Sequence, residues 1–263
     1  MNITNIILAV SVLGALGLIF GVVLSLASSF FATEEDERID KIVELLPGAN
    51  CGACGFAGCE AFAKAVTEGT ARPGGCSVGG EKTAELIAEI MGTDADYVKQ
   101  FAHLKCSASC AKAPHRYEFS GLDDCRAAAR LGGGPKSCTY GCIGLGTCAK
   151  VCPLGAISLE DGLAVIDGEK CMACGVCVST CPKNLIEIVP TTANYFVACA
   201  SKDKGAQMKT LCSTGCIGCG ICAKTCPHEA IEFENNLARI IPFKCQNCGL
   251  CAEKCPKKII HMY

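Results

Sequence analysis

The chain opens with a long apolar run. From Met1 to Thr33 no side chain is charged, and the stretch is rich in Ile, Leu, Val, Ala and Phe. A membrane-spanning helix needs ~20 apolar residues, so the run predicts one transmembrane helix over 1–33. A secretory signal peptide is the alternative. It is disfavoured because the first four residues, MNIT, carry no Lys or Arg and the apolar run is long.

Shorter amphipathic stretches follow this run. Ile39, Ile42, Val43 and Leu46 fall on one helical stripe, and Pro47-Gly48 ends it. A second helical stretch runs over 81–91 and is closed by Gly92. The pattern predicts a small helical domain over 34–100.

The second half of the chain repeats itself at one constant offset, the separation of Cys171 from Cys245. At this repeat offset Ala156-Ile157 matches Ala230-Ile231, and Leu163-Ala164 matches Leu237-Ala238. Nine cysteines also recur at it, from Cys125 matching Cys199 to Cys181 matching Cys255. The repeat predicts two copies of one module, over 138–190 and 191–263, preceded by a cysteine-containing linker over 101–137.

Composition shows what organises these modules. The 263 residues include 25 cysteines and 29 glycines, but no Trp and only 6% aromatic residues. Little bulky apolar material is available for a large core, so a group bound by the sulfurs must replace part of it. The odd cysteine count and the close spacing argue against a disulfide framework. A net charge of -2 excludes a strongly basic nucleic-acid binder.

The first cysteine group is the run CGACGFAGC with a later cysteine. Its glycines allow the backbone to approach an inorganic core, and a helix over 58–68 would direct its positive end at the anion. We expect a [4Fe-4S] cluster here, with zinc as the alternative. The expected ligands are Cys51, Cys54, Cys59 and Cys76.

Three runs match the C-x2-C-x2-C-x3-C-P signature of bacterial two-cluster ferredoxins. They are Cys171 to Pro182, Cys216 to Pro227 and Cys245 to Pro256. In this signature three cysteines bind one cluster and the fourth binds the other. The expected ligand sets are Cys171, Cys174, Cys177 with Cys152; Cys216, Cys219, Cys222 with Cys255; and Cys245, Cys248, Cys251 with Cys226.

The remaining half of the first module is irregular. Its run CTYGCIGLGTC has Leu145 where the second module has Cys219. We expect Cys138 to replace the missing ligand. The predicted site is then Cys138, Cys142, Cys148 and Cys181, and the alternative is a three-cysteine site holding [3Fe-4S].

Five sites use twenty cysteines and leave Cys106, Cys110, Cys125, Cys199 and Cys212. A sixth cluster would most simply use Cys106, Cys110 and Cys125 with a further ligand. The alternative is that the remaining cysteines are small buried apolar residues. The sequence therefore predicts five [4Fe-4S] clusters and admits a sixth.

No substrate-converting site is evident in the sequence. There is no strand followed by G-x-G-x-x-G and no phosphate-binding P-loop. The four histidines, His103, His115, His228 and His261, are scattered and are expected at the surface. Nicotinamide and flavin sites are therefore expected on partner subunits, and no catalytic residue is assigned to this chain.

The order of these segments resembles a known family. An apolar helix, CGACGFAGC, the segment GLDDCRAAARLGGGPKSCTYGCIGLGTCAKVCP and the module CIGCGICAKTCP together are similar to the B subunit of the Rnf complex. The resemblance implies an electron-transfer subunit of an ion-translocating ferredoxin:NAD+ oxidoreductase. Such a subunit takes electrons from soluble ferredoxin and relays them toward flavin-bearing, NAD-binding and membrane subunits. A poly-ferredoxin subunit of a hydrogenase or other dehydrogenase complex is the alternative, and a zinc-rich structural protein is a weaker one.

These inferences define the expected architecture. The fold class is small α+β: one N-terminal transmembrane helix, a helical four-cysteine domain and two ferredoxin-like modules. Reduced cysteines place these domains on the cytoplasmic side of a bacterial inner membrane. Two lysine groups are candidates for docking an acidic ferredoxin, or are ordinary solvated residues: Lys202, Lys204, Lys209 and Lys254, Lys257, Lys258.

Overall fold

The computed structural model describes residues 3–30 and 36–262. Helix α1 spans Ile3–Phe30 and is 28 residues long. Its side chains are continuously described over 11–26, where all are exposed. Among the described residues, no helix is both long and apolar enough to cross a membrane. The predicted transmembrane segment over 1–33 is therefore not confirmed, and its ends, 1–2 and 31–33, lie outside the described residues.

A small helical domain follows, as predicted. Its elements are α2 (Glu37–Leu45), α3 (Cys59–Thr67), a 3-10 turn (Pro73–Gly75) and α4 (Gly80–Met91). Asp36 caps α2 by accepting a hydrogen bond from the N–H of Arg38 at 3.0 Å. Gly92 ends α4 in the left-handed conformation, φ +65°. The amphipathic stripes meet in one core around Ile42, Phe62, Val66 and Ile87.

The first module is built from short elements between two outer strands. They are β1 (Gln100–Leu104), α5 (Cys125–Ala129), α6 (Thr147–Lys150), β2 (Ile157–Glu160), β3 (Leu163–Ile166), α7 (Val176–Thr180) and β4 (Ile186–Pro190). Strand β1 pairs antiparallel with β4, with His103 opposite Glu187. Strands β2 and β3 form a hairpin. The expected boundary between residues 100 and 101 thus falls inside β1, because this strand closes the module.

The second module repeats this arrangement. Its elements are β5 (Tyr195–Val197), α8 (Gly205–Leu211), α9 (Ile221–Thr225), β6 (Ile231–Glu234), β7 (Leu237–Ile240), a 3-10 turn (Pro242–Lys244), α10 (Leu250–Glu253) and β8 (Ile260–Met262). Strand β5 pairs with β8, and β6 pairs with β7, both antiparallel. The elements from α6 to β4 match those from α9 to β8 at the repeat offset seen in the sequence.

The two outer strands β1 and β5 do not follow the repeat offset. The N–H of Lys105 donates to Leu185 O, and the N–H of Ala198 donates to Ile259 O, both at 2.8 Å. Lys105 and Ala198 are therefore equivalent, although they lie farther apart in the sequence than Cys171 and Cys245 do. The first module thus carries a longer segment between its outer strand and its first cysteine run.

The modules pack against each other through β1 and β5. Phe101 and Phe196 meet edge to face with ring centroids 5.9 Å apart, and His103 lies 4.8 Å from the Phe196 ring. His103 is only 1% exposed, so its expected surface position is wrong. Burial disfavours the imidazolium form and lowers the pKa of His103 to about 4. His115, His228 and His261 are exposed, as expected.

Candidate metal centres

Two cavities are each lined by one predicted quartet of cysteines. In the second module the quartet is Cys216, Cys219, Cys222 and Cys255. In the first module it is Cys152, Cys171, Cys174 and Cys177. The structure thus brings the residues of each quartet together around one cavity.

Local backbone geometry explains how each run surrounds its cavity. A glycine in the left-handed conformation precedes each short helix that carries the third cysteine, as at Gly175 (φ +76°) and Gly220 (φ +67°). The chain therefore turns sharply between the second and third cysteines. A side chain at Gly218 would approach the backbone of Asn236 to 3.0 Å, so close packing also requires glycine there.

The pKa shifts of these thiols are caused in part by neighbouring sulfurs, and those neighbours belong to the same predicted quartet. Burial and the neighbouring sulfurs of Cys216, Cys219 and Cys255 raise the pKa of Cys222 to about 11. Burial and the sulfurs of Cys171, Cys174 and Cys152 do the same for Cys177, whose pKa is about 11. Burial also raises the pKa of Cys251, where the neighbouring sulfurs are those of Cys245 and Cys226. The fourth cysteine of each run accordingly lies near the other run, as the ferredoxin pattern requires.

The irregular half of the first module recruits a cysteine that the sequence did not assign to it. Its cavity is lined by Cys125, Cys142, Cys148 and Cys181, without Cys138. Burial and the sulfurs of Cys142, Cys125 and Cys181 raise the pKa of Cys148 to about 12. The predicted use of Cys138 at this site therefore disagrees with the geometry.

Cys125 is positioned by its own backbone hydrogen bond and by the capping of the helix that it begins. Its N–H donates to Thr147 Oγ1 at 2.7 Å, which ties it to the start of α6. Asp124 caps α5 by accepting from the N–H groups of Arg126 and Ala127 at 2.5 and 3.3 Å. Cys125 thus compensates for Leu145 from outside the cysteine run.

The N-terminal group is organised around the start of α3. Asn50 Oδ1 accepts a hydrogen bond from the N–H of Cys59 at 2.8 Å, and the N–H of Gly79 donates to Cys76 Sγ at 3.4 Å. Burial raises the pKa of Cys76, and the sulfurs of Cys54 and Cys59 add to this shift. Cys51 is exposed.

A further cavity between the modules contains four cysteines that the sequence did not group. It is lined by Cys106, Cys138, Cys199 and Cys212. The predicted set of Cys106, Cys110 and Cys125 is therefore not brought together. Cys110 lies apart, with its sulfur 3.4 Å from His115 Nε2. One feature of the sequence could have grouped these cysteines, because Cys106 and Cys199 each follow the outer strand of their module.

The donor sets suit iron-sulfur clusters. Four of them consist of cysteine sulfurs that line a cavity. Backbone N–H groups also donate to cysteine sulfurs, as at Cys171 and Cys226. Thiolate ligands with N–H groups directed at sulfur are the environment of protein-bound [4Fe-4S] clusters. Within the described residues, no three Cys, His, Asp or Glu side chains converge closely enough to hold a single metal ion.

Comparison with family models gives the same division. Residues 46–78 match a family described as "Putative Fe-S cluster". Three families described as "4Fe-4S dicluster domain" match residues 134–182, 170–231 and 215–259. The chain therefore carries a small iron-sulfur domain and tandem 4Fe-4S ferredoxin domains.

Curated relatives extend the similarity over most of the chain. The B subunit of the Na(+)-translocating ferredoxin:NAD(+) oxidoreductase complex of Acetobacterium woodii is 46% identical over 92% of this chain and 73% of its own length. The proton-translocating counterpart of Clostridium ljungdahlii is 42% identical over 89% and 84%. The B subunit of the ion-translocating oxidoreductase complex of Methanosarcina acetivorans is 40% identical over 79% of each. The chain belongs to the family of Rnf complex B subunits, the iron-sulfur subunits of ion-translocating ferredoxin:NAD+ oxidoreductases.

Proposed function

We propose that this chain is a membrane-anchored electron-transfer subunit of an ion-translocating ferredoxin:NAD+ oxidoreductase. It carries electrons from reduced soluble ferredoxin toward the flavin- and NAD-bearing subunits of the same complex. The observation that carries the proposal is the grouping of cysteine sulfurs into separate quartets along one chain. The relatives are B subunits of oxidoreductase complexes, which supports the proposal that this chain acts with other subunits of such a complex.

Five quartets would hold [4Fe-4S] clusters, each of which supplies a one-electron carrier when bound. The chain itself fixes the sulfurs, directs N–H groups at them and excludes water. These contributions set the potentials of the centres. The five quartets are Cys51, Cys54, Cys59, Cys76; Cys125, Cys142, Cys148, Cys181; Cys152, Cys171, Cys174, Cys177; Cys216, Cys219, Cys222, Cys255; and Cys226, Cys245, Cys248, Cys251.

The exposed sulfurs suggest where electrons enter and leave. The cysteines all lie in the described part of the chain, and those exposed are Cys51, Cys219 and Cys248. Cys219 and Cys248 belong to the second module, and Lys257 lines the same cavity as Cys219. We therefore place ferredoxin docking at the second module, and the exit at the N-terminal domain, which follows α1 in the sequence.

Charge reversal at the second module tests the docking site. Lys257→Glu with Lys258→Glu should slow reduction of the chain by ferredoxin at low salt, and the difference should shrink at high salt. The matched control is Lys64→Glu with Lys82→Glu, two exposed lysines of the N-terminal domain. Stopped-flow bleaching of the visible cluster absorbance measures the rate. Equal rates at low salt would remove this docking site, whereas a native chain that ferredoxin cannot reduce would refute the electron-transfer role.

A second experiment tests the direction of flow. In the assembled complex, Cys54→Ala should leave the clusters of the two modules reducible by ferredoxin but block NAD+ reduction. The reason is that Cys54 lies in the N-terminal group proposed as the exit. Continued NAD+ reduction at the native rate would overturn this order of centres.

The anchor proposal rests on α1. Large apolar side chains around the helix are exposed, including Leu13 at 69% and Leu18 at 73%. A lipid bilayer would cover such a surface, and the reduced cysteines favour the cytoplasmic side. A chain lacking residues 1–33 should keep its iron but remain in the supernatant when bilayer vesicles are sedimented. Co-sedimentation of the shortened chain at the level of the full chain would contradict the anchor.

A further inference from the structure

An open groove of about 690 Å³ lies between the two modules. Its lining comes from both of them, with Thr139 and Lys183 on the first module and Lys202 and Arg239 on the second. Lys202 and Arg239 are exposed, and Lys183 is half-buried. The groove is therefore a surface feature that solvent and a partner can both reach.

Positive charge dominates this groove. Four lining side chains are cationic and one is a carboxylate: Lys105, Lys183, Lys202, Arg239 and Glu187. The carboxylate is already paired with Lys105, at 3.1 Å. Glu232 lies opposite Arg239 in the hairpin of β6 and β7, but among the described residues neither Arg239 nor Lys202 forms an ion pair. The groove thus carries uncompensated positive charge, although the net charge of the chain is -2.

The internal repeat relates this groove to an equivalent face of the module pair, which lacks most of this charge. Positions after the outer strands correspond as Lys105 does to Ala198, and the other positions correspond at the repeat offset. Three of the four cations have uncharged counterparts: Ala198 for Lys105, Ser109 for Lys202 and Val165 for Arg239. The charge is therefore a property of one face and not of the repeated fold.

The equivalent face is occupied by the chain itself. Ser213 is the counterpart of Thr139, and its N–H and Oγ donate to Lys112 O at 2.9 and 3.3 Å. Burial and the nearby charge of Lys112 lower the pKa of His261, the counterpart of Glu187. Lys112 belongs to the long segment between β1 and the first cysteine run. A stretch of polypeptide thus lies where the groove is open on the other side.

The groove stays open because the second module has only a short segment at this place. After Lys202 the chain enters α8, and none of the described residues of α8 lines the groove. In the described part of the chain, the N–H of Thr139 makes no backbone hydrogen bond, unlike that of Ser213. An exposed backbone donor of this kind can bind a carbonyl of an extended peptide. The repeat therefore indicates a polypeptide as the occupant, and the charge indicates an acidic one.

We propose that the groove binds an acidic segment of another subunit of the same complex. The proposal rests on the proposed function in taking this chain to act within a complex. Carboxylates of the segment pair with Lys202 and Arg239, and one of its carbonyl groups accepts from the N–H of Thr139. Soluble ferredoxin suits the groove less well, because neither of the exposed sulfurs of the second module, Cys219 and Cys248, lines it.

Zero-length carbodiimide coupling tests the occupant in the purified, assembled complex with soluble ferredoxin present. The reagent joins a lysine amine to a carboxylate where the two groups are in contact, and peptide mass spectrometry identifies the joined residues. We expect Lys202 to be joined to an Asp or Glu of another subunit. The matched control is Lys209, an exposed lysine of α8 outside the groove, which should give much less joined product.

Charge reversal tests the contribution of the groove to assembly. Lys202→Glu with Arg239→Glu should weaken retention of the joined subunit by about tenfold or more, since the reversed charges repel its carboxylates. Lys209→Glu with Lys224→Glu makes the same change of charge at exposed positions outside the groove and should retain the subunit. Circular dichroism checks that both variants keep the native fold.

Coupling in the native complex decides if the double variant fails to fold. The groove assignment would be overturned if Lys202 were joined to no other subunit, or to soluble ferredoxin alone. Native retention of the subunit by the folded double variant would overturn it as well. The proposed function fails differently, because a complex with Lys202 joined to a subunit, but with a chain that ferredoxin cannot reduce, would refute electron transfer and leave the groove assignment intact.

Discussion

The ammonium nitrogen of Lys136 lies 2.7 Å from the carbonyl oxygen of Gly162, although Lys136 is only 2% exposed. It also donates to Ala108 O at 3.0 Å. Burial raises the pKa values of Cys106 and Cys142, and the positive charge of Lys136 opposes that shift. A buried cation therefore lies near the thiols of Cys106 and Cys142. The equivalent position of the second module holds Thr210, which is exposed.

Replacing this lysine should alter the redox potentials of the first module. Reduction adds an electron, and a nearby positive charge favours it, so Lys136→Met should lower the midpoint potentials of the adjacent centres by some tens of millivolts. Redox titration followed by electron paramagnetic resonance measures the shift. Lys112→Met, at an exposed lysine of the same segment, is the control and should change the potentials little. Identical potentials in Lys136→Met and the native chain would show that the cation has no influence.

The position of Cys125 gives a second prediction. Because its sulfur completes the quartet with Cys142, Cys148 and Cys181, Cys125→Ser should leave three thiolates and convert this centre to [3Fe-4S]. Iron should fall by about one atom per chain. The oxidised variant should also gain the paramagnetic signal of a three-iron cluster.

A compensating substitution makes this test specific. Leu145 occupies the place that Cys219 has in the second module, so Leu145→Cys added to Cys125→Ser should restore the regular run and the fourth iron. Cys110→Ser is the matched single substitution and should produce no three-iron signal. If Cys138→Ser, rather than Cys125→Ser, gave the signal at this centre, Cys125 would not be its ligand.

The sequence repeat correctly predicts the elements from α6 to β4 and from α9 to β8. It also predicts the regular quartets, two of which line cavities in the structure. The repeat wrongly pairs Cys125 with Cys199. The two cysteines are separated by the repeat offset but do not occupy equivalent positions in the fold. Cys125 lines a quartet of the first module, whereas Cys199 is the counterpart of Cys106 after the outer strand. Equal spacing in sequence therefore does not establish equal position in the fold.

The reason lies in the segment between the outer strand and the first cysteine run. The stretch from Cys106 to Cys138 is more than twice as long as the stretch from Cys199 to Cys212. The longer segment supplies Cys125 to the site that Leu145 leaves incomplete. Long-range strand pairing and the packing of two modules decide this arrangement, and neither is visible in local spacing.

Asn50 supports the N-terminal group in a way that can be measured. Its side chain bonds the N–H of Cys59, and its backbone is left-handed at φ +45°, which Asn tolerates better than Ala. Asn50→Ala should destabilise this domain by about 1–2 kcal/mol, since it loses a hydrogen bond and adds strain. The expected result is faster iron release to a chelator from this centre alone.

Asn50→Asp is the matched control for that experiment. It keeps an oxygen for the Cys59 N–H and a residue tolerated in the left-handed region. Its added negative charge should lower the potential of the centre without accelerating iron release as much. Equal release rates for Asn50→Ala and the native chain would show that the hydrogen bond contributes little.

His103 makes the contact between the modules sensitive to pH. It lies on β1 against Phe196 of β5, with a backbone hydrogen bond to Val197. Burial lowers its pKa to about 4, while Glu187 opposes this shift and Lys105 and His261 add to it. The folded chain therefore favours the neutral ring, whereas an unfolded His binds a proton with a pKa of about 6.5.

Stability contributed by neutral His103 should be complete above about pH 6.5 and lost as the pH falls toward 4. Between about pH 7.5 and 5.5 this loss is about 1.4 kcal/mol, because the unfolded chain gains a proton that the folded chain does not. His103→Gln, which stays neutral, should lose that much less stability over the same interval. Denaturant midpoints at the two pH values measure the difference, with exposed His228→Gln as the control. If the native chain and His103→Gln shifted equally, protonation of His103 would not govern this part of the pH dependence.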